Sequence, residues 1–176
     1  MKRILLYVFK MKRVKLCFIL LVLSSSLFAQ ASPDSGFTNK AEAKNLKVNG
    51  KRDGKWIEYL KLEDEYESVT TDTSKAKMYR LTIYNAGKAT GLMRTYYKSG
   101  KLEADVFFID GKQDGTAKGY YESGKLAFET PFDNGKRNGT FKGYYENGKI
   151  KMEAIYNNDK QVMMKEYDEN GNEIQK

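Results

Sequence analysis

Carboxylates are the side chains in this sequence best placed to do chemistry. Asp105, Glu129 and Glu153 recur every 24 residues. On alternate strands of one sheet they would lie about 9 to 10 Å apart, near the separation that inverting glycosidases set between acid and base. Each is expected to face Arg94, Lys118 or Lys142, however, and a cation across a strand pair holds a carboxylate ionised. A general acid needs the opposite shift. The chain has no His and its one Cys is Cys17, so no Ser-His, Cys-His or His-metal constellation can form. The recurrent Gly-Lys-x-x-Gly loops lack the helix and the Lys-Ser/Thr pair of a phosphate loop. An acidic run, Glu63, Asp64, Glu65 and Glu67, lacks the alternating Asp/Asn spacing and central Gly of a calcium loop. The expectation is a non-enzymatic chain without metal or cofactor.

Binding chemistry is better represented. Tyr96-Tyr97, Tyr120-Tyr121 and Tyr144-Tyr145 recur with the same period, and neighbours on a strand point to opposite faces. One tyrosine of each pair is therefore displayed: Tyr96, Tyr120 and Tyr144, beside Arg94, Lys118 and Lys142. Such a row can stack on sugar rings, peptide or lipid head groups. Against this, tyrosine suits any half-exposed strand, and the three cations are matched by three acids.

The elements that carry these residues follow from the period itself. Gly87, Gly111 and Gly135 stand 24 apart, as do Gly91, Gly115 and Gly139, and Gly100, Gly124 and Gly148. A fixed period of this length marks a repeat array whose units bury their apolar faces only by stacking. Ser-Gly or Asn-Gly at the centre of each unit signals a β-hairpin with a two-residue loop, both residues at positive φ. Counting each unit from its first Gly, facing positions then sum to 27. Position 11 (Tyr97, Tyr121, Tyr145) meets position 16 (Leu102, Leu126, Ile150), and position 9 (Thr95, Gly119, Gly143) meets position 18 (Ala104, Phe128, Met152). On the other face position 10 meets position 17, and position 8 meets position 19. The expected fold is all-β, an elongated antiparallel β-meander of stacked hairpins. About ten twisted strands would expose a long apolar row, and self-coiling of the sheet is expected to bury it.

The organisation divides as a signal peptide over 1–31, a linker over 32–47 and a repeat domain over 48–176. The repeat domain comprises a divergent first unit (50–86), regular units at 87–110, 111–134 and 135–158, and a partial unit at 159–176. The first unit replaces its tight turn by an acidic insertion at 62–77, and puts Ile57 and Leu81 where the others carry an ion pair. Its apolar patch needs a cover, either the insertion or residues 32–47.

Lys12, Arg13 and Lys15, the apolar run Leu16 to Leu23 and Ala29-Gln30-Ala31 read as an export signal, too short for a comfortable membrane span. Met11-Lys12-Arg13 echoes Met1-Lys2-Arg3, so either methionine can be the start. Six of the 31 basic residues and none of the 23 acids lie in 1–31. Cleavage leaves 25 basic and 23 acidic residues, a net charge of +2. That balance argues against nucleic acid and gives no particular indication of a membrane surface. The mature chain would also be free of disulfides.

The residues quoted, Gly54, Trp56 and Tyr59 in the first unit and the Gly-Tyr-Tyr-Glu-Ser/Asn-Gly-Lys text of later ones, resemble the MORN repeat family. The closer likeness is to its bacterial variant, found in proteins labelled YwqK-type antitoxins. The resemblance implies stacked hairpins and an interaction or membrane-association module. Pro131 within a strand, Asp159 in place of Gly and the insertion after Leu60 depart from the pattern. The expected function is an exported, periplasmic or extracellular, non-catalytic module that binds an unknown protein or envelope component. The alternative is an antitoxin-like inhibitor neutralising a protein effector by stoichiometric binding.

Overall fold

The computed structural model describes residues 37–63 and 66–175. The expected signal peptide, residues 32–36, Asp64 and Glu65 lie outside the described residues. A 3₁₀ turn, Lys40–Glu42, precedes thirteen strands: β1 (Leu46–Val48), β2 (Lys51–Glu63), β3 (Tyr66–Thr70), β4 (Met78–Asn85), β5 (Lys88–Tyr97), β6 (Leu102–Ile109), β7 (Lys112–Gln113), β8 (Gly115–Tyr120), β9 (Leu126–Asp133), β10 (Lys136–Arg137), β11 (Gly139–Tyr144), β12 (Ile150–Asn157) and β13 (Lys160–Glu166). All pair antiparallel in one meander, with β3, β7 and β10 attached beside β2, β6 and β9. The all-β meander read from the repeat is the fold observed.

Two kinds of turn alternate along it. Between units the loop has two residues, both at positive φ: Asn49-Gly50, Ala86-Gly87, Asp110-Gly111, Asn134-Gly135 and Asn158-Asp159. These are the tight, primed turns whose twist matches that of paired strands. Within units the turn is longer. Gly124 N–H donates to Tyr121 C=O at 2.7 Å and Tyr121 N–H to Lys125 C=O at 2.9 Å. Here only the Gly has positive φ, and Ser123 and Asn147 do not. The two-residue loop expected at Ser123-Gly124 is thus corrected to a four-residue turn ending in a left-handed Gly with a bulge beyond it.

That bulge moves the register. Ala117↔Thr130, Lys118↔Glu129 and Gly119↔Phe128 pair as the sum of 27 requires, but Tyr120 then pairs with Leu126, skipping Ala127. Tyr96↔Leu102 and Tyr144↔Ile150 repeat the shift. The expected pairings of position 10 with 17 and of 11 with 16 are therefore wrong in regular units. They hold in the first, where Tyr59↔Tyr79 and Leu60↔Met78 pair without a bulge because the insertion replaces the tight turn. Pro131 fits because it lies opposite the break between β10 and β11. There its carbonyl accepts from Asn138 N–H, and no donor is needed.

The core sits at the N-terminal end. Leu60 and Leu81, with Thr82 and Thr95, are the largest fully buried side chains. Both faces of the first hairpin are covered by flanking chain. On the Leu81 face the segment read as a linker packs down: Lys40 lies over the Tyr79 ring, Lys55 over Phe37, and Glu42 bonds Lys55. The Asn45 amide stands in for a strand, accepting from Ile57 N–H at 2.8 Å and donating to Ile57 C=O at 3.0 Å. The insertion folds back beside β2, β3 pairing to it in the plane of the sheet; Glu67 meets Arg80 at 2.5 Å on the other face, while Ala76 is buried near Lys40, Tyr59 and Tyr79. Both candidate covers are used. In the regular units only small residues are buried on the apolar face: Thr95, Ala117, Gly119, Thr130, Gly143 and Ala154. Self-coiling does not bury Phe128, Phe141 or Met152, which stay half-exposed.

Candidate functional site

The charged columns of successive units join into one ladder. Arg94↔Asp105, Asp105↔Lys118, Lys118↔Glu129, Glu129↔Lys142, Lys142↔Glu153 and Glu153↔Lys165 are cross-strand neighbours. Sign alternates at every step across the sheet. The resulting attraction is local and nearly neutral in sum, worth a few tenths of a kcal/mol to about 1 per pair. The acids at 105, 129 and 153 are thus flanked by cations on both sides, a setting unlike that of a general acid.

Tyr96, Tyr120 and Tyr144 stand two residues along from Arg94, Lys118 and Lys142 towards the turns, so all six residues singled out from the sequence form one surface. The tyrosines are half-buried. Tyr96 stacks on Tyr79, with ring centroids 5.0 Å apart. Tyr144 Oη donates to Glu129 Oε1 at 2.8 Å, and Tyr167 Oη repeats the contact with Glu153 at 3.3 Å. Burial pushes the Tyr96 and Tyr120 phenols up, and Asp105 adds to both. Tyr144 is pushed up to about 12, by burial first, then by Glu129 and Glu153. Only the neutral phenol can donate. Its folded-state pKa exceeds the unfolded value of about 10, so the stabilisation is complete below about pH 10 and is lost as pH rises towards about 12. Tyrosinate absorbance in an alkaline titration should therefore show a late-titrating group. Tyr144→Phe is expected to remove that last component.

The second tyrosine of each pair has a different role. Tyr97 Oη donates to Tyr120 C=O at 2.7 Å, Tyr121 Oη to Tyr144 C=O at 2.5 Å, and Tyr145 Oη to Tyr167 C=O at 2.7 Å. Each unit thus holds the backbone of the next. Lys101, Lys125 and Lys149 run parallel to them, donating to Glu122, Glu146 and Asn170 carbonyls at 2.8, 2.6 and 3.0 Å. At the opposite edge the Gly87, Gly111 and Gly135 amides donate to the Arg52, Ala89 and Gln113 carbonyls at 2.8, 2.8 and 2.7 Å, and packing is close: a Cβ at Gly87, Gly111 or Gly135 would lie 3.3 to 3.5 Å from the Cβ of Lys51, Lys88 or Lys112.

On the apolar face an open groove of about 430 Å³ runs over the last two regular units, lined chiefly by Tyr121, Phe128, Phe141, Tyr145, Lys151 and Met152. The rings of Phe128 and Phe141 lie near-parallel with centroids 6.3 Å apart. Gly119 admits Phe128, since a Cβ there would lie 2.1 Å from its ring. The bulge turns Ala127 and Lys151 into this groove, and Lys151 Nζ lies 5.6 Å from the Tyr145 ring centroid. Sequence reasoning missed Lys151 here, because position 17 was assigned to the tyrosine row. The groove has one cation, aromatic walls and, at its end, Glu166, a surface fit to hold a partner. Glu103, on the same bulge two units earlier, is the carboxyl pushed up, by burial first and then by Glu67, with Arg80 opposing. Among the described residues no cluster of three or more His, Cys, Asp or Glu is placed to hold a metal ion.

Three consecutive segments, residues 89–110, 113–134 and 137–158, match the family model described as the MORN repeat variant. Each match spans one hairpin from primed turn to primed turn. No curated protein and no solved structure matches the chain.

Proposed function

We propose, from the premise that residues 89–158 are three consecutive MORN repeats, that this chain is an exported, non-catalytic binding module holding a protein or envelope component on the apolar face of those repeats. A MORN array is a repeat-based binding or structural module. One observation supports the choice of face: the first hairpin is covered on both sides by its own flanking segments, whereas the aromatic groove over the last regular units is left open. Uncovered apolar grooves rimmed by polar groups are characteristic interaction sites. A second reading, in which Tyr96, Tyr120, Tyr144, Arg94, Lys118 and Lys142 carry the partner, is favoured by the half-exposed rings, although the phenol of Tyr144 is already spent on Glu129.

The test is a pull-down from the envelope of the native host, with the N-terminus of the isolated protein sequenced alongside. The chain should begin near Gln30 or Ser32. Phe141→Lys and Met152→Glu should lose the captured component, while Tyr120→Phe keeps it. An intact N-terminus in the cytosol would remove the export claim and favour an antitoxin-like inhibitor. Capture unaffected by the groove variants but lost on changing the tyrosine row would move the site to the other face.

A further inference from the structure

The array has two unlike margins. Interior units alternate a leading strand (β5, β8, β11) with a return strand (β6, β9, β12), and each strand has neighbours on both sides. β13 is a leading strand: its Lys165 pairs with Glu153 of the preceding return strand as Lys142 pairs with Glu129 one unit earlier. Beyond the turn, the returning segment meets it through Tyr167↔Glu173, through Ile174 N–H to Glu166 C=O at 2.8 Å and through the Lys165–Glu173 ion pair at 2.8 Å. No strand among the described residues lies along the outer edge of Lys160–Lys165. A slot of about 390 Å³ opens there between Met164, Lys165 and Glu166 on one side and Glu173, Ile174 and Gln175 on the other.

The opposite margin supplies the missing kind of strand. β1 leads into the primed turn Asn49-Gly50 as β6 leads into Asp110-Gly111, so it is, among the described residues, a return strand without a leading partner. It pairs with β2 alone. Exposed large apolar residues concentrate at these margins: Leu46 at 57% and Val48 at 54% on β1, Val162 at 55%, Met163 at 38% and Met164 at 43% on β13. Of the regular leading strands β5 runs unbroken and β8 and β11 are interrupted near a positive-φ Gly, Gly115 or Gly139, while β13 runs from Lys160 to Glu166 with one register shift, at Val162. A longer edge strand is a better template for pairing. Charge is complementary as well: residues 37–56 carry six basic and two acidic side chains, residues 157–176 three basic and five acidic.

We propose that the protein associates head to tail, β1 of a second copy adding to the outer edge of β13 as its return strand. The register of the regular hairpins, Gly115↔Phe132 and Thr116↔Pro131, carried to the margins places Val162 opposite the second copy's Lys47 and Met163 opposite its Leu46. The contact is heterologous, so the array extends as an open filament or closes as a ring instead of stopping at two copies. Backbone hydrogen bonds give the strand addition its affinity, and the alternate apolar side chains its register.

Cross-linking tests this directly on the full chain in a Cys17→Ser background. Paired residues bring their Cβ atoms to about 4.5 to 5.5 Å, within reach of a disulfide. A mixture of Leu46→Cys and Met163→Cys proteins should form a covalent dimer under mild oxidation that neither forms alone. The double variant should give a ladder of multimers. In sedimentation velocity the uncross-linked protein should gain mass with concentration, and Met163→Lys or added salt should reduce that gain. Dimerisation of Met163→Cys alone would show two β13 strands pairing about a two-fold axis and overturn the head-to-tail arrangement. A monomer at every concentration, with no cross-link in the mixture, would overturn association altogether.

Discussion

Leu81→Ala is expected to destabilise the protein by about 2 to 5 kcal/mol, the range for deleting a buried aliphatic side chain that leaves a cavity. Leu81 is fully buried, and pairs with Ile57 on one side and Arg94 on the other. It occupies a position that is charged in every regular unit. The covers on the two faces of the first hairpin cannot collapse freely into the vacated space. The 37–45 segment is fixed by Asn45 to the backbone of Ile57, and the insertion is tied by Lys77 N–H to Leu60 C=O at 2.9 Å. Urea denaturation of the variant should show a lower midpoint at unchanged slope. Truncating Phe128, half-exposed in the groove, should cost less than Leu81→Ala. If the two costs are equal, the core is not concentrated in the first hairpin.

The largest effect in the repeats should come from the tyrosines that face away from the charged ladder. Changing Tyr97, Tyr121 and Tyr145 together to Phe removes three hydrogen bonds to the backbone of the following units. At about 0.5 to 1.5 kcal/mol each, that is about 1.5 to 4.5 kcal/mol, against a total stability of about 5 to 15 kcal/mol for a domain. Changing the same three to Ser also removes the rings and is expected to unfold the regular units. The matched changes Tyr96, Tyr120 and Tyr144 to Ser should leave the array folded, since Tyr144 bonds a ladder acid and Tyr96 stacks on Tyr79. Circular dichroism and thermal melts compare the two triple variants. Equal loss of stability from both would mean that the two rows share one structural role.

Much of this fold can be read from the sequence because its determinants are local and repeated. The 24-residue spacing of glycines, the alternation of Lys118 to Tyr120 against Phe128 to Thr130 and the charge opposition of Lys142 and Glu153 each recur, so an error in one unit would conflict with the others. What could not be read has a common physical origin. Both Asp110-Gly111 and Ser123-Gly124 look like tight turns. Only hydrogen bonding shows that the first is a two-residue turn and the second a longer one with a bulge. One inserted residue there exchanges Ala127 for Leu126 opposite Tyr120, and with it the face that position 17 serves. The cover on the first hairpin was legible as a need, from Ile57 and Leu81. Its source was not, because the contacts of Phe37, Lys40 and Asn45 depend on tertiary placement and leave no periodic trace. Among the site residues, the tyrosine row was visible through its doublet, whereas the groove residues Phe141, Lys151 and Met152 differ in type from their counterparts in other units.

The measurement that bears most directly on the binding reading is residue-resolved NMR of the protein with the component captured from the envelope. Partner contact on the open apolar face should shift the Met152 methyl, the Gly143 amide and the ring signals of Phe128 and Phe141, leaving the ring signals of Tyr96 and Tyr120 unmoved. Shifts confined to Tyr96 and Tyr120, with the groove signals unchanged, would contradict it.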